Sequence, residues 1–317
     1  MLTFLLTFLI AFILTILLTP VVRTFAPEIG AVDKPSERKI HSVNVPRTGG
    51  MAIYFGFLAA ILFGLLSGGV SGAVINPRPV LGILLGGSII LLTGLLDDIR
   101  QLKPLTKLFG QITGAAVAAY FGIGITFLSS PFGGTVSLGY VTIPLTLLWL
   151  VGITNAINLI DGLDGLAAGV TAIAAITFFF VALRTHQLEA ALLMLALAGT
   201  ALGFLRYNFF PASIFLGDAG SYFLGFVLAA AAIVGVFKTT LVVALVIPLL
   251  ILGVPIFDTV FALWRRLKEK KNPFAADDKH IHHLLLRAGF SQREAVFAIY
   301  TVCFLLSFIA LIMALQK

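Results

Sequence analysis

Charged and polar residues in this chain gather in a few short segments between long apolar runs. Asp97 and Asp98 stand together in Leu95-Leu96-Asp97-Asp98-Ile99-Arg100. Two carboxylates beside hydrocarbon are costly unless a cation or proton compensates them. Lys103 and Lys107 follow within two helical turns and can hold phosphate oxygens; a solvated loop start is the plain alternative. In Asn155-Ala-Ile-Asn158-Leu-Ile-Asp161-Gly-Leu-Asp164-Gly165, polar groups recur every three residues. Asn158, Asp161 and Asp164 can therefore line one side of a helix end. A simple Asn/Asp/Gly turn explains the glycines and one aspartate, but not two Asp and two Asn together.

Three further segments carry reactive groups. Arg206-Tyr207-Asn208 precedes Phe215-Leu216-Gly217-Asp218-Ala219-Gly220-Ser221, where Asp218 opens an apolar run. Aspartate is also a good helix N-cap, so Asp218 alone decides little. Asp277-Asp278-Lys279-His280-Ile281-His282-His283 follows the basic run Trp264-Arg265-Arg266-Leu-Lys268. Zinc ligation by histidines this close suits tetrahedral closure poorly; as imidazole donors they suit phosphate oxygens. Lys39, His41 and Pro46-Arg47-Thr48-Gly49-Gly50 put cations at a helix start, a ready anion site. Together these segments offer carboxylates for a hard divalent ion, cations for phosphates, and imidazoles. Mg²⁺ prefers a few carboxylates completed by water and substrate phosphates, and Mn²⁺ is an acceptable substitute. Neither a Walker loop nor a nucleophile elbow occurs. The residues alone point to a Mg²⁺-dependent pyrophosphate-handling site.

The elements that must position these groups are membrane spans. Of 317 residues, 59% are hydrophobic and 11% charged, and the mean hydropathy is +1.08. A soluble domain carries about a quarter charged residues, so the outer surface must face lipid. Apolar segments of span length lie at about 2–22, 50–67, 79–96, 106–123, 142–160, 165–183, 190–205, 220–236, 239–263 and 294–315. The expected fold is all-α and polytopic, with about ten transmembrane helices over a single domain, 1–317. Pro248, Gly253 and Pro255 predict a kinked or broken ninth helix; dividing it gives eleven. The stretch 125–143 alternates around Gly133-Gly134 and predicts a small hairpin. The first run lacks a basic leader and a small-residue cleavage site, so it is expected to stay as a span.

Charge then sets the sides. Alternation gathers 17 of the 21 Lys and Arg on one face; Arg78, Arg184, Lys238 and Lys317 fall on the other. The positive-inside rule makes the first face cytoplasmic and places both termini outside. Carboxylates do not obey that rule, yet 13 of 14 lie near the same face, with Glu189 the exception. The loop 264–293 carries the histidines. A net charge of +7 is thereby explained without nucleic acid. The single cysteine, Cys303, excludes an intrachain disulfide.

At these residues the sequence resembles the polyprenyl-phosphate N-acetylhexosamine-1-phosphate transferases. The resemblance rests on Pro46-Arg-Thr-Gly-Gly50, Leu95-Leu-Asp-Asp-Ile-Arg100, the Asn155–Gly165 segment, Phe215–Ser221 and His280-Ile-His-His-Leu-Leu285, in that order. It implies transfer of a sugar 1-phosphate from a UDP-sugar to polyprenyl (undecaprenyl) phosphate with release of UMP, in a bacterial inner membrane with the site facing the cytoplasm. It leaves a homodimer open. It implies that Asp218 and Asp98 hold Mg²⁺, and that Asp97, Asp98, Asp161, His282 and His283 are catalytic. It assigns substrate contacts to Arg47, Lys107, Asn158, Asp164, Asn208, Phe215, His280 and Arg287, with Phe215 stacking on uracil. The peptidoglycan branch has a contiguous histidine triplet followed by an acidic residue. Here Ile281 interrupts the histidines and Leu284-Leu285 follow, which favours UDP-GlcNAc over UDP-MurNAc-pentapeptide. Asp97 is expected to take or hold off the lipid phosphate's proton; an aspartyl nucleophile is the competing route. A secondary transporter is the alternative of another class, but would put ionisable groups near mid-membrane.

Overall fold

The computed structural model describes residues 1–33, 44–67, 76–129, 135–235, 246–270 and 279–315. Lys39, His41, Asp277 and Asp278 lie outside the described residues. The order is α1 (Leu2–Ile29), β1 (Val32–Asp33), β2 (Val45–Pro46), α2 (Gly49–Leu66), α3 (Pro77–Arg100), α4 (Pro104–Tyr120), β3 (Phe127–Ser129) and β4 (Thr135–Ser137). Then come α5 (Thr142–Ile160), α6 (Leu166–Arg184), α7 (Leu188–Asn208), α8 (Gly217–Gly235), α9 (Val246–Ile251), α10 (Gly253–Lys268), α11 (Ile281–Arg287) and α12 (Gln292–Leu315).

The protein is a polytopic helical bundle. Among the described residues eight helices are long and apolar enough to cross a membrane: α1, α2, α3, α5 with the turn before it, α6, α7, α8 and α12. The other two expected spans are not among these eight, and each has its own local structure. α4 has 17 residues, opened by Pro104 and closed where Gly122 takes a positive φ of 100°. The ninth segment divides at Leu252 between α9 and α10. Pro248 and Pro255 each then sit in the first turn of a short helix, where a missing N–H costs no hydrogen bond. The hairpin expected over 125–143 is present: Phe127 pairs with Ser137 and Leu128 with Val136 in β3 and β4.

α8 is the axis of the bundle. In its most apolar stretch 94% of residues are buried, against 28% in α1 and in α12. It packs against α2, α3, α5, α6 and α7. Small residues let these helices reach it, as in membrane bundles generally. A Cβ on Gly94 of α3 would lie 2.5 Å from the Ala219 backbone, and one on Gly50 of α2 would run into Gly220. Both contacts fall at the first turn of α8. The close approach therefore serves the end of the bundle where Arg47, Asp97, Asp98 and Asp218 meet. Glu189, the one acid expected elsewhere, accepts from the Asn76 backbone N–H (2.7 Å), in the connection leading into α3.

Candidate active site

The connection into α8 runs beside the segment that opens α2. Phe215 N–H donates to the Pro46 carbonyl (2.7 Å), Gly49 N–H to the Phe215 carbonyl (3.1 Å) and Gly50 N–H to the Leu216 carbonyl (3.0 Å). Gly217 completes the turn with φ +73°. Its missing side chain leaves space for the Arg47 carbonyl and the Asp98 carboxylate. The first free N–H groups of α8 are then taken by a carboxylate from another helix. Asp98 Oδ1 accepts from Asp218 N–H (2.9 Å) and Oδ2 from Ala219 N–H (3.0 Å). Gly217→Ala is expected to cost about 2–4 kcal/mol, from left-handed strain plus overpacking. A lowered melting temperature in detergent checks it; an unchanged one would show that the turn relaxes freely.

Asp218 is the hub of the charged cluster. Its Oδ1 accepts from Asn158 Nδ2 (3.1 Å) and lies 3.9 Å from Arg47 NH2. Its Oδ2 accepts from Lys107 Nζ (3.2 Å) and from the Tyr222 hydroxyl (3.0 Å). Lys107 also pairs with Asp97 Oδ2, while Asp97 Oδ1 accepts from Leu102 N–H (2.6 Å) and holds the α3–α4 turn. Arg47 Nε is 3.5 Å from Asp98 Oδ1, and its NH1 is 3.8 Å from Asp33. Burial works against the Arg47 charge, but Asp98, Asp218 and Asp33 outweigh it and hold the guanidinium above its ordinary range. Asn158 is tied further to Ser221 Oγ (2.9 Å). One turn deeper, Asn155 and Gln111 bond side chain to side chain (2.6 Å and 3.3 Å) and fix the register of α5 on α4.

The α5–α6 turn adds Asp161 and Asp164. Burial pushes the Asp161 carboxyl up to about 8; Asp218, Asp98 and Asp164 add to the shift, and Arg47 opposes it. Asp164 Oδ2 accepts from Ala212 N–H (2.9 Å). Asn208 accepts from Gly165 N–H (3.1 Å) and donates to the Ile214 carbonyl (3.1 Å). It thus laces this turn to the segment before α8. Tyr300 of α12 donates to the Gly165 carbonyl (2.6 Å).

The histidines form a separate wall. His280 and His282 are buried, with rings nearly parallel (3°) and 5.9 Å apart; His282 and His283 are 4.2 Å apart. Burial, then His283 and His280, lower the His282 pKa to about 4 against a weaker pull from Asp258. It is therefore neutral near pH 7. Any phosphate contact from it is a hydrogen bond and not an ion pair.

The structure brings Arg47, Asp97, Asp98, Lys107, Asn158 and Asp218 into one cluster, with Asp161 within electrostatic reach. Asp98 is engaged by α8 through both oxygens, so its first task is to hold Asp218. Asn208 is buried and spends both ends of its amide on backbone. Asp164 anchors Ala212 and acts on Asp161 through its charge. Phe215 is half-buried beside Pro46, and Arg287 ends α11. Sequence reasoning missed Tyr222, Ser221, Asp33, Gln111 and the role of Asp258. Tyr222 was findable, since i and i+4 share a helix face. Among the described residues, no three His, Cys, Asp or Glu side chains form a ready-made metal cage. A carboxylate hub with few protein ligands and adjacent cations nevertheless fits Mg²⁺, which is usually held by one or two carboxylates and completed by phosphates and water.

Residues 80–236 match Glycosyl transferase family 4. The chain is 44% identical over 296 residues to a probable undecaprenyl-phosphate N-acetylglucosaminyl 1-phosphate transferase of Bacillus subtilis, covering 93% of this chain and 80% of the relative. It is 38% identical to a decaprenyl-phosphate N-acetylglucosaminephosphotransferase of Mycobacterium leprae (89% and 76% covered). It is 34% identical to a phospho-N-acetylmuramoyl-pentapeptide-transferase of Desulforudis audaxviator (86% and 86% covered).

Proposed function

The chain belongs to glycosyl transferase family 4, and from that premise we propose that it transfers N-acetylglucosamine 1-phosphate from UDP-N-acetylglucosamine to a polyprenyl phosphate, releasing UMP. The observation that carries the reading is the Asp218 hub: one carboxylate at a helix start, flanked by Lys107 and Arg47 and adjoining Asp97. Such an array neutralises phosphates; a site for hydride or acyl transfer would not need it. The relatives named as N-acetylglucosaminyl 1-phosphate transferase and N-acetylglucosaminephosphotransferase support the donor, together with the interrupted histidine tract. The concentration of Lys and Arg on the motif-bearing face supports a cytoplasmic site in a bacterial plasma membrane.

In this reading Asp97 keeps the lipid phosphate deprotonated. A lipid phosphate oxygen attacks the β-phosphorus of the donor, and the bond from that phosphorus to the bridging oxygen breaks, so UMP leaves with it. Lys107 and Arg47 meet the non-bridging oxygens. His282, neutral and buried, orients a phosphate or sugar group by hydrogen bonding. When bound, Mg²⁺ would be held by Asp218 with Asp161 and Asp97 nearby, and it would supply charge neutralisation and orientation of the diphosphate. The rest of the acceleration comes from placement. Purified protein in nanodiscs, given UDP-GlcNAc, undecaprenyl phosphate and Mg²⁺, should release UMP only when both substrates are present. Release with UDP-MurNAc-pentapeptide but not UDP-GlcNAc would reverse the donor assignment. Substrate movement without UMP would point to a transporter.

Asp161 gives a pH signature for the metal-free protein. An unfolded carboxyl titrates near 4, whereas the folded one titrates at about 8. Between these values the folded state binds the extra proton, so stability falls as pH rises. In EDTA the melting temperature should drop between pH 5 and pH 8 and level off above that. With Mg²⁺ the drop should shrink, because the ion favours the ionised carboxylate. An EDTA profile flat across this range would remove Asp161 from the cluster.

A further inference from the structure

One buried carboxylate has no part in the reaction just described. Asp258 lies in the first half of α10 and is 8% exposed. Its Oδ2 pairs with His280 Nδ1 at 2.7 Å, and its Oδ1 accepts from Ile281 N–H at 2.9 Å. Both oxygens therefore receive donors from two consecutive residues. His280 is the N-cap of α11 but makes no side-chain cap bond of its own; the free N–H of Ile281 is satisfied by Asp258 from another helix. A carboxylate that already accepts from a backbone N–H takes its second bond from a protonated Nδ1, which fixes the ring's orientation.

The other side of the histidine loop rests on Gly162. A Cβ at Gly162 would collide with His282 Nε2 and the carbons on either side of it. His282 is 2% exposed, and its Nδ1 has no partner. Gly162 stands between Asp161 and Asp164, so the ring lies directly on the aspartate turn. The stacked His280 and His282 rings transmit the hold of Asp258 to this seat.

We propose that Asp258 and Gly162 form a two-sided clamp that positions the histidine loop: Asp258 grips His280 and the start of α11, and Gly162 provides the flat seat that sets the His282 ring on the turn between α5 and α6. Neither residue touches the transferred phosphate; both act through the histidines. The divided helix takes part as well, because Asp258 sits on α10 just beyond the Leu252 break. The histidine wall is thereby registered to α10 as well as to the loop that carries it. The inference rests on the transferase reading for its effect on turnover, but not for its geometry.

Two double-mutant cycles test it, each read by UMP release and by melting temperature in detergent. Asp258→Ala should lower kcat by about 10–100-fold, the usual cost of losing a residue that orients an active group, with the KM for UDP-GlcNAc within about threefold. In a His280→Ala background it should add little. Gly162→Ala should lower both kcat and melting temperature in the wild type, and neither further in a His282→Ala background. If Asp258→Ala does not fold, Asp258→Asn replaces it. Asn still accepts from Ile281 N–H, and the smaller loss should again vanish without His280. Additive losses in both cycles, or wild-type kcat for Asp258→Ala, overturn the clamp. A wild-type protein that releases no UMP overturns the reaction alone, since coupling in the melting temperatures still decides the clamp.

Discussion

Asp218→Asn is expected to lower UMP release by at least about 10³-fold while leaving the melting temperature within a few degrees of wild type. The rate estimate follows from the several kcal/mol that a positioned divalent ion contributes, at 1.36 kcal/mol per factor of ten. The spared stability follows from the local wiring. What fastens α8 is not the Asp218 side chain but its backbone N–H and that of Ala219, both held by Asp98. Asparagine leaves those bonds intact and can still accept from Tyr222. Asp98→Asn must behave differently, since its amide can satisfy one of the two N–H groups but presents a donor to the other. Hydrogen bonds to a charged group contribute about 1.5–3 kcal/mol each, so Asp98→Asn should lower activity and melting temperature together. Parallel assays of the two variants separate ligand from anchor. Asp218→Asn within tenfold of wild-type turnover would sink the hub assignment.

That contrast marks where sequence reading stops. Three of the residues gathered around Asp218 were legible because each follows from a local rule. Asn158 lies three residues before Asp161 on one helix face, Lys107 follows Asp97 and Asp98 within a few turns, and Arg47 precedes a glycine pair at a helix start. The span pattern was legible because hydrocarbon imposes length and apolarity. Exact helix boundaries were not: α4 runs from a proline to just before a left-handed glycine, and the division of the ninth segment falls at Leu252, between its prolines. The division of labour between Asp97 and Asp98 could not be read at all. Adjacent residues on a helix point about 100° apart, so one faces Lys107 and the other faces α8, but which does which depends on how α3 is rotated in the bundle. Asp258 and His280 are joined only because α10 and the loop fold back on each other. Residues 22 apart show no periodicity that would announce it. Asn208 has the right chemistry for a nucleotide pocket, and only the fold shows that its amide laces two backbones.

Lys107→Met should move two measurements in opposite directions. In the metal-free protein both oxygens of Asp218 face a cation: Arg47 approaches Oδ1, and Lys107 holds Oδ2 while also pairing with Asp97. A divalent ion on Asp218 must therefore compete with the ammonium group, which already donates to two carboxylates. Removing that competitor frees Oδ2 and leaves two carboxylates less compensated, which increases their demand for a divalent ion. Affinity for Mg²⁺ or Mn²⁺ should rise by about threefold to tenfold, on the order of 1 kcal/mol for one partly exposed pair. Turnover should fall by about 10²–10³-fold, because in the proposed reaction the same ammonium, once displaced from Asp218, meets the phosphates, and its loss resembles that of a preorganised transition-state donor. Methionine keeps the length and most of the apolar stem, so packing on α4 is little changed. Lys107→Arg tests the geometry: the charge remains, but a planar fork replaces a point charge, and metal affinity should stay near wild type while turnover falls. Calorimetric titration with Mn²⁺ beside the UMP assay reads both quantities. A Lys107→Met protein that binds metal more weakly, yet turns over normally, would mean that the lysine organises the metal-binding carboxylates and does not hold the phosphates.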